Sequence, residues 1–368
     1  MNELNRKELG LQERLTNKTF NFDKRYETGY FSASYFMKTE KIIKDCFPDV
    51  VVTMQFFTRK KSVLCGIDEA IALLHTFAKN PQNLEIYALN DGDEVEPFEP
   101  VLKIHGRYQD FGYLEGAIDG ILARRTSVCT NCSEIMKAKS KNSSVMFFGD
   151  RDDDPRNHPG DGYSAYVAGI KLVCTDAMGE WTGLKGIGTM PHALIVMHNK
   201  DLIAASTSFN NAFPNDNLTV LVDTNNDVIN DTLLVARHFK EKLWGVRVDT
   251  SISLQDKYFQ RLNEPYDDMS TRGVNVRLIK ALRKALDDEG FNHVKIVVSS
   301  GFDVEKVKLF TSENAPVDTY GIGGSLIKCT RSFTGDVVNI NGVAMAKEGR
   351  KELFSDRLKK VDFSLEGN

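Results

Sequence analysis

Two rhythms of apolar residues run along this chain. Up to about residue 120, one helical segment stands among extended ones. Ile67, Ala70, Ile71, Leu73 and Leu74 recur at the spacing that lines one face of a helix, predicting a helix over residues 66–78. Residues 50–57, 84–89 and 101–105 are rich in β-branched and aromatic side chains and read as strands, with Asn90-Asp91-Gly92-Asp93 as a turn between the last two. An α+β domain is expected there. Beyond it, short apolar runs at 144–148, 218–222, 245–248, 295–298 and 317–322 alternate with amphipathic stretches. Unbroken apolar runs suit strands covered on both faces, as in a parallel sheet. Helices are expected over 120–139, 231–243 and 274–286, the last stopped by Gly290, a residue free to adopt the left-handed turn that closes a helix. Repeated strand–helix units give an α/β barrel or a doubly wound sheet. Residues 337–351 look extended again and are expected to return to the first domain.

Composition narrows the partners. The chain of 368 residues is 41% hydrophobic, enough for a sizeable core and a natural prior of two domains. A formal charge of −4 and a pI near 6.0 supply no basic field, which disfavours nucleic acid while leaving small anions open to a locally positive pocket. The opening MNELNRKELG is polar and no stretch approaches the ~18 apolar residues that span a bilayer, so no membrane association is expected and the location is read as cytoplasmic. Cys46, Cys65, Cys129, Cys132, Cys174 and Cys329 are scattered and do not suggest a disulfide framework. Cys129 and Cys132 form a CxxC, but no second pair follows to complete a zinc site, and two thiols on one helix face are the plainer reading.

The chemistry gathers where the apolar runs end. In α/β proteins the active site lies at the carboxyl ends of the strands. Here those ends carry Phe147-Phe148-Gly149-Asp150-Arg151, Asp223-Thr224, Arg247 with Asp249-Thr250, Ser299-Ser300-Gly301, and Gly321-Ile322-Gly323-Gly324-Ser325. A single glycine-rich loop is most simply a tight turn. Two on successive late strands can expose backbone N–H groups that bind phosphate without a cationic side chain. Asp223 and Asp249 could cap strand ends, or face ribose hydroxyls or a hydrated Mg²⁺. Between the first two strand ends lies Lys185-Gly186-Ile187-Gly188-Thr189-Met190-Pro191-His192, which reads as a loop feeding a helix. Thr189 is expected near the N-cap, Pro191 in the first turn and His192 beside the positive helix end, where a neutral, nucleophilic ring is favoured. A lone histidine in an apolar stretch is also commonly a packed structural residue.

Taken in order, these segments resemble the nicotinate phosphoribosyltransferases, members of the type II phosphoribosyltransferase group that also includes the nicotinamide and quinolinate enzymes. The residues carrying the resemblance are Thr28-Gly29-Tyr30-Phe31, Gly92-Asp93 with Glu99-Pro100-Val101-Leu102, Leu122-Ala123-Arg124-Arg125-Thr126-Ser127, Phe148-Gly149-Asp150-Arg151, Gly188-Thr189-Met190-Pro191-His192, Arg247 with Asp249, Ser300-Gly301, and Gly321-Ile322-Gly323-Gly324. The resemblance implies an N-terminal α/β sandwich domain over 1–120, completed by 335–368, and an irregular α/β barrel over 121–334. It implies a homodimer whose active sites draw on both subunits. Phosphoribosyl pyrophosphate would be a substrate, ATP a co-substrate and Mg²⁺ a cofactor held mainly through pyrophosphate, with no metal-ligating side-chain set.

Site roles follow from the same resemblance. Phe148 would stack on the pyridine ring, Tyr30 of the partner would cover its other face, Arg151 would lie where the carboxylate and the ribose-phosphate are held, and Thr189 would also bind nicotinate. Arg247, Asp249, Arg125 and Asp223 would serve the phosphoribosyl group, and the amides of Ser300, Gly301, Gly323 and Gly324 its 5′-phosphate. His192 matches the histidine phosphorylated from ATP. The chain departs from the family in lacking a second arginine directly after Arg151, where Asp152-Asp153-Asp154-Pro155-Arg156 follows, and Thr28-Gly29 lacks an aspartate. Alternative readings are a nicotinamide enzyme, disfavoured by Met190 where an amide-reading aspartate would stand; a quinolinate enzyme; a barrel lyase, which would want a lysine at a strand end; and a non-catalytic phosphate-binding homologue.

Overall fold

The computed structural model describes residues 14–266 and 268–362. The polar opening segment, which bears on the expected location, and the final six residues of the expected 335–368 return lie outside them. Two compact units emerge. One runs to Ser133 and takes in Pro159–Gly169 and the chain from Ile327 onward; the other comprises Glu134–His158 and Ile170–Leu326. Among the described residues no helix is long and apolar enough to cross a membrane.

The first unit is built on an antiparallel sheet whose spatial order is Val343–Ala344, Phe333–Ile340, Val51–Thr58, Pro100–Arg107, Glu85–Ala88 and Lys359–Lys360. The two-residue period of a strand sends Val52, Met54 and Phe56 to one face, with Leu102, Ile104 and Ile86 beside them. Helix Ile67–Phe77 buries Ile67, Ile71 and Leu74 in the same core, and the long helix Glu115–Ala138 adds Ile118 and Leu122. Each fully buried large side chain there stabilises the unit by roughly 1.5–3 kcal/mol relative to exposure. The late extended segment does return: Phe333–Ile340 pairs antiparallel with Val51–Thr58. Cys129 and Cys132 both sit fully buried on the long helix, one turn apart.

The second unit is an α/β half-barrel. Its six strands, in spatial order Leu172–Val173, Ser144–Phe147, Thr319–Ile322, Lys295–Val298, Leu243–Val248 and Leu218–Leu221, are all parallel. Leu218–Leu221 and Thr319–Ile322 are buried at every position, which is why they read as continuous apolar runs. Helices Val228–Phe239 and Val276–Asp288 connect strands, the second capped by the Asn275 side chain accepting from the Leu278 amide at 2.9 Å. Gly290 follows it at φ +80°, as expected. The helix expected over 231–243 ends sooner, because Lys240 at φ +49° breaks it and Leu243 already belongs to the next strand. Because every strand points the same way, all carboxyl ends share one edge. Phe148, Asp223, Asp249, Ser299 and Gly323 emerge along it.

Candidate active site

Three of these strand ends are tied to one another by side chains. Arg247, the penultimate residue of its strand, donates from Nη2 to Asp249 Oδ2 at 3.2 Å and from Nη1 to Thr189 Oγ1 at 3.0 Å. Asp249 accepts a second bond, from Ser299 Oγ at 2.7 Å, on its other oxygen. The Arg247 guanidinium lies 5.5 Å from the centroid of the Phe148 ring, within cation–π range. Arg247 Nε is buried without an acceptor among the described residues. An orphaned N–H on a buried guanidinium is costly unless something accepts it.

His192 meets Asp223 in the same unit, with Nε2 at 3.2 Å from Oδ2 and 3.3 Å from Oδ1. An ionised carboxylate only accepts, so Nε2 is the donor in this pair, and Nδ1 is the ring nitrogen that Asp223 leaves unengaged. Burial pushes the Asp223 carboxyl up, with the histidine pulling it back down. The imidazole side chain is 43% exposed while the carboxylate is 8% exposed, so the base is open to solution and its orienting partner is not. The sequence expectation needs correcting in its local detail. Helix His192–Met197 is six residues long, Pro191 is its N-cap and no side chain caps it. Thr189 bonds Arg247 instead of capping, and the electrostatic neighbour of His192 is the Asp223 carboxylate.

The two glycine loops are shaped differently. Ser300 and Gly301 adopt successive left-handed conformations, φ +76° and +65°. Serine there is strained and glycine is not. At the other loop glycine is required by crowding. A methyl group on Gly321 would come within 2.6 Å of Phe148 Cε2, so the bare strand is what lets that ring lie against it. At Gly323 a methyl would meet the Phe148 carbonyl oxygen at 2.3 Å and Asp152 Oδ2 at 2.6 Å. Ser325 Oγ then donates to Phe302 O at 2.8 Å, tying this loop to the Ser300-Gly301 loop. We expect Gly323→Ala to destabilise the fold by about 1–3 kcal/mol, since a backbone oxygen cannot rotate away as a side chain can. At about 2–4 °C per kcal/mol for a domain of this size, thermal unfolding will register it, and an unchanged melting temperature would mean that the loop yields freely.

The remaining expected residues divide by unit. Arg151 is exposed and makes no ion pair among the described residues, whereas Arg156 is held by Asp154, Nη2 to Oδ2 at 2.7 Å. Arg125 belongs to the first unit, where Glu69 at 2.7 Å and Asp161 at 3.4 Å enclose its guanidinium. Burial opposes its charge, but those carboxylates raise its proton affinity above the usual value. Tyr30, also in the first unit, is 65% exposed and lies under the Arg25 guanidinium at 4.5 Å. The sequence names Ser299 and Asp152 only as members of their loops, without a role, and gives no signal for Lys306.

Fold and site together define an α/β half-barrel with a cation, two carboxylates, an aromatic ring and a left-handed turn along its carboxyl edge. Known proteins agree with that class. The family model described as quinolinate phosphoribosyl transferase, N-terminal domain, matches residues 34–126. The crystal structure of nicotinate-nucleotide pyrophosphorylase from Pyrococcus furiosus is 30% identical, covers 90% of this chain and 80% of its own, and superposes with a TM-score of 0.77. Human nicotinic acid phosphoribosyltransferase shares the fold at a TM-score of 0.65 and 16% identity, over 85% of this chain and 75% of its own. Nicotinate phosphoribosyltransferase of Bacillus subtilis is 23% identical over 251 residues, 66% of this chain but 45% of its own. The chain thus spans about half the length of the curated relatives it matches. It belongs to the type II phosphoribosyltransferase family.

Proposed function

We propose that the chain is a nicotinate phosphoribosyltransferase acting in the cytoplasm on the route to NAD, transferring the phosphoribosyl group of phosphoribosyl pyrophosphate to nicotinate with release of pyrophosphate. The observation that carries this reading is the row Phe148, Arg247, Asp249 and Ser299, one connected set along the carboxyl edge of the parallel sheet. The pyridine nitrogen attacks the anomeric carbon as pyrophosphate departs, so the transition state is positive at the sugar and negative at the leaving group. Such a reaction needs alignment and fixed charges more than a proton donor. Asp249, held by Ser299 and Arg247, offers a fixed carboxylate to the sugar. Arg247 offers a fixed positive charge to the leaving pyrophosphate.

Mg²⁺ would arrive with the pyrophosphate. No three metal-ligating side chains converge among the described residues, and Asp223 and Asp249 are carboxylates at this edge that could meet the ion's water shell. When bound, the ion supplies charge neutralisation on the leaving group. His192 would take the phosphoryl group of ATP on Nδ1, with Asp223 stabilising the charge the ring gains. A homodimer with shared sites would bring the partner's Tyr30 over the pyridine.

Arg151 supports a monocarboxylate acceptor: it is one uncommitted exposed cation, while a dicarboxylate such as quinolinate would call on a second, and Arg156 is already engaged by Asp154. Buried Met190 leaves no carboxylate at the position that would read an amide. The test incubates the pure protein with phosphoribosyl pyrophosphate and Mg²⁺, with and without ATP, against nicotinate, nicotinamide and quinolinate in turn. Nicotinate mononucleotide from nicotinate, stimulated by ATP, is the expected product. Turnover confined to nicotinamide or quinolinate would replace the substrate, and no turnover with any would leave a phosphate-binding homologue.

A further inference from the structure

Lys306 lies in the first turn of helix Val304–Ser312, immediately after the Ser299-Ser300-Gly301 loop. Its Nζ donates to the Ser300 carbonyl at 3.1 Å and sits 4.2 Å from the centroid of the Phe302 ring. Phe302 is itself fixed, buried with edge contacts to Phe310 and Tyr320. Asp303 caps the helix by accepting from the Lys306 amide at 2.9 Å, and no carboxylate pairs with the ammonium among the described residues. An ammonium has three donors, and the Ser300 carbonyl uses one. A positive end of a helix is a poor place for a lysine unless an anion comes there.

We propose that Lys306 is a phosphate-positioning residue: by pinning the Ser300 carbonyl it holds the Ser300-Gly301 turn in its left-handed form, and it brings positive charge to an amide turn that has none. The ligand is the 5′-phosphate of a phosphoribosyl group, so the inference rests on the reading that this loop receives phosphate. The strained Ser300, a non-glycine residue at φ +76°, explains why a fastening is needed. Burial lowers the Lys306 proton affinity to about 8, partly offset by Asp303, the charged side chain that acts on it. The Tyr320 phenol behind Phe302, pushed up to about 12 by burial, stays neutral over the same range. A lysine titrating near 8 is charged below that pH and neutral above it. Phosphate affinity conferred by it is therefore present near pH 7 and lost as pH rises through about 8.

The experiment titrates ribose 5-phosphate calorimetrically into the full chain between about pH 7 and 9, where a phosphate monoester with its second pKa near 6 is already dianionic. Wild-type affinity is expected to fall about five- to tenfold over that range. Lys306→Met should bind about 10–100-fold more weakly at pH 7, the loss of a charge-assisted hydrogen bond, while kcat at saturating phosphoribosyl pyrophosphate stays within about threefold. Lys306→Arg should recover most of the affinity and lose the pH dependence, because a guanidinium does not titrate there. A Lys306→Met affinity within twofold of wild type, wild-type affinity that is flat with pH, or no ribose 5-phosphate binding at all would each overturn the proposal. Lysine-dependent binding without mononucleotide formation would sink the transferase reading and leave this one standing.

Discussion

Arg247→Leu is expected to lower kcat/KM for mononucleotide formation by roughly two to three orders of magnitude while the protein stays folded. The guanidinium makes three connections in the second unit: Asp249 at 3.2 Å, Thr189 at 3.0 Å and the Phe148 ring at 5.5 Å. Leucine keeps much of the packing volume but leaves Asp249 with the Ser299 hydroxyl as its remaining hydrogen-bond partner among the described residues. Removing one member of a buried charge pair costs about 2–5 kcal/mol, and each 1.36 kcal/mol is tenfold in rate. The transition state suffers more than the ground state, because the leaving pyrophosphate gains charge just as the cation is missing. Both kcat and KM should therefore worsen. Arg247→Lys restores charge without the planar fork and should recover only part of the rate. Steady-state kinetics of the two variants decide it: a loss below about fivefold in Arg247→Leu would remove this side chain from the reaction.

What the sequence makes legible, and what it conceals, divides along the same residues. The parallel strands are readable because burial on both faces forces runs such as Leu218–Leu221, and their ends are readable because Asp, Ser and Gly punctuate them. Pairing across strands is not written in local pattern. Asp223 finds His192 across 31 positions and Asp249 finds Ser299 across 50, distances over which periodicity carries no information. Thr189 looks like a helix cap because it precedes a proline and an apolar run, yet it is taken by Arg247 from another strand, a tertiary partner outcompeting a local one. Lys306 and Lys308 show the limit most plainly. Two residues apart on one helix, the second pairs with Glu305 in solvent at 2.8 Å while the first turns in to the Ser300 carbonyl. Nothing in the two-residue spacing distinguishes them beforehand. The glycines carry a similar lesson, since Gly301 serves a left-handed turn whereas Gly323 makes room for the Phe148 carbonyl and the Asp152 carboxylate, and the letter is the same.

His192→Ala should abolish stimulation by ATP and leave slow, ATP-independent transfer. The geometry separates the two functions: Arg247, Asp249 and Phe148 form one connected set, while His192 is joined to Asp223 by its Nε2 and keeps Nδ1 open on a side chain 43% exposed. A phosphoryl group on Nδ1 would add about −2 in charge and three acceptor oxygens at the mouth of the site, enough to redraw the local preference for phosphate ligands. In the proposed reaction Asp223 would orient the ring and balance its charge during attack, so Asp223→Asn should keep the ring's position and slow phosphorylation, by analogy with the orienting acid of other histidine-based sites. Incubation with γ-labelled ATP should give acid-labile, alkali-stable label in wild type, little in Asp223→Asn and none in His192→Ala. The ratio of rates with and without ATP should fall to about one in His192→Ala. Retention of ATP-stimulated turnover by that variant would place the phosphoryl acceptor elsewhere, and loss of the basal rate as well would mean that His192 touches the transfer itself, with the ring working at the sugar and not at ATP.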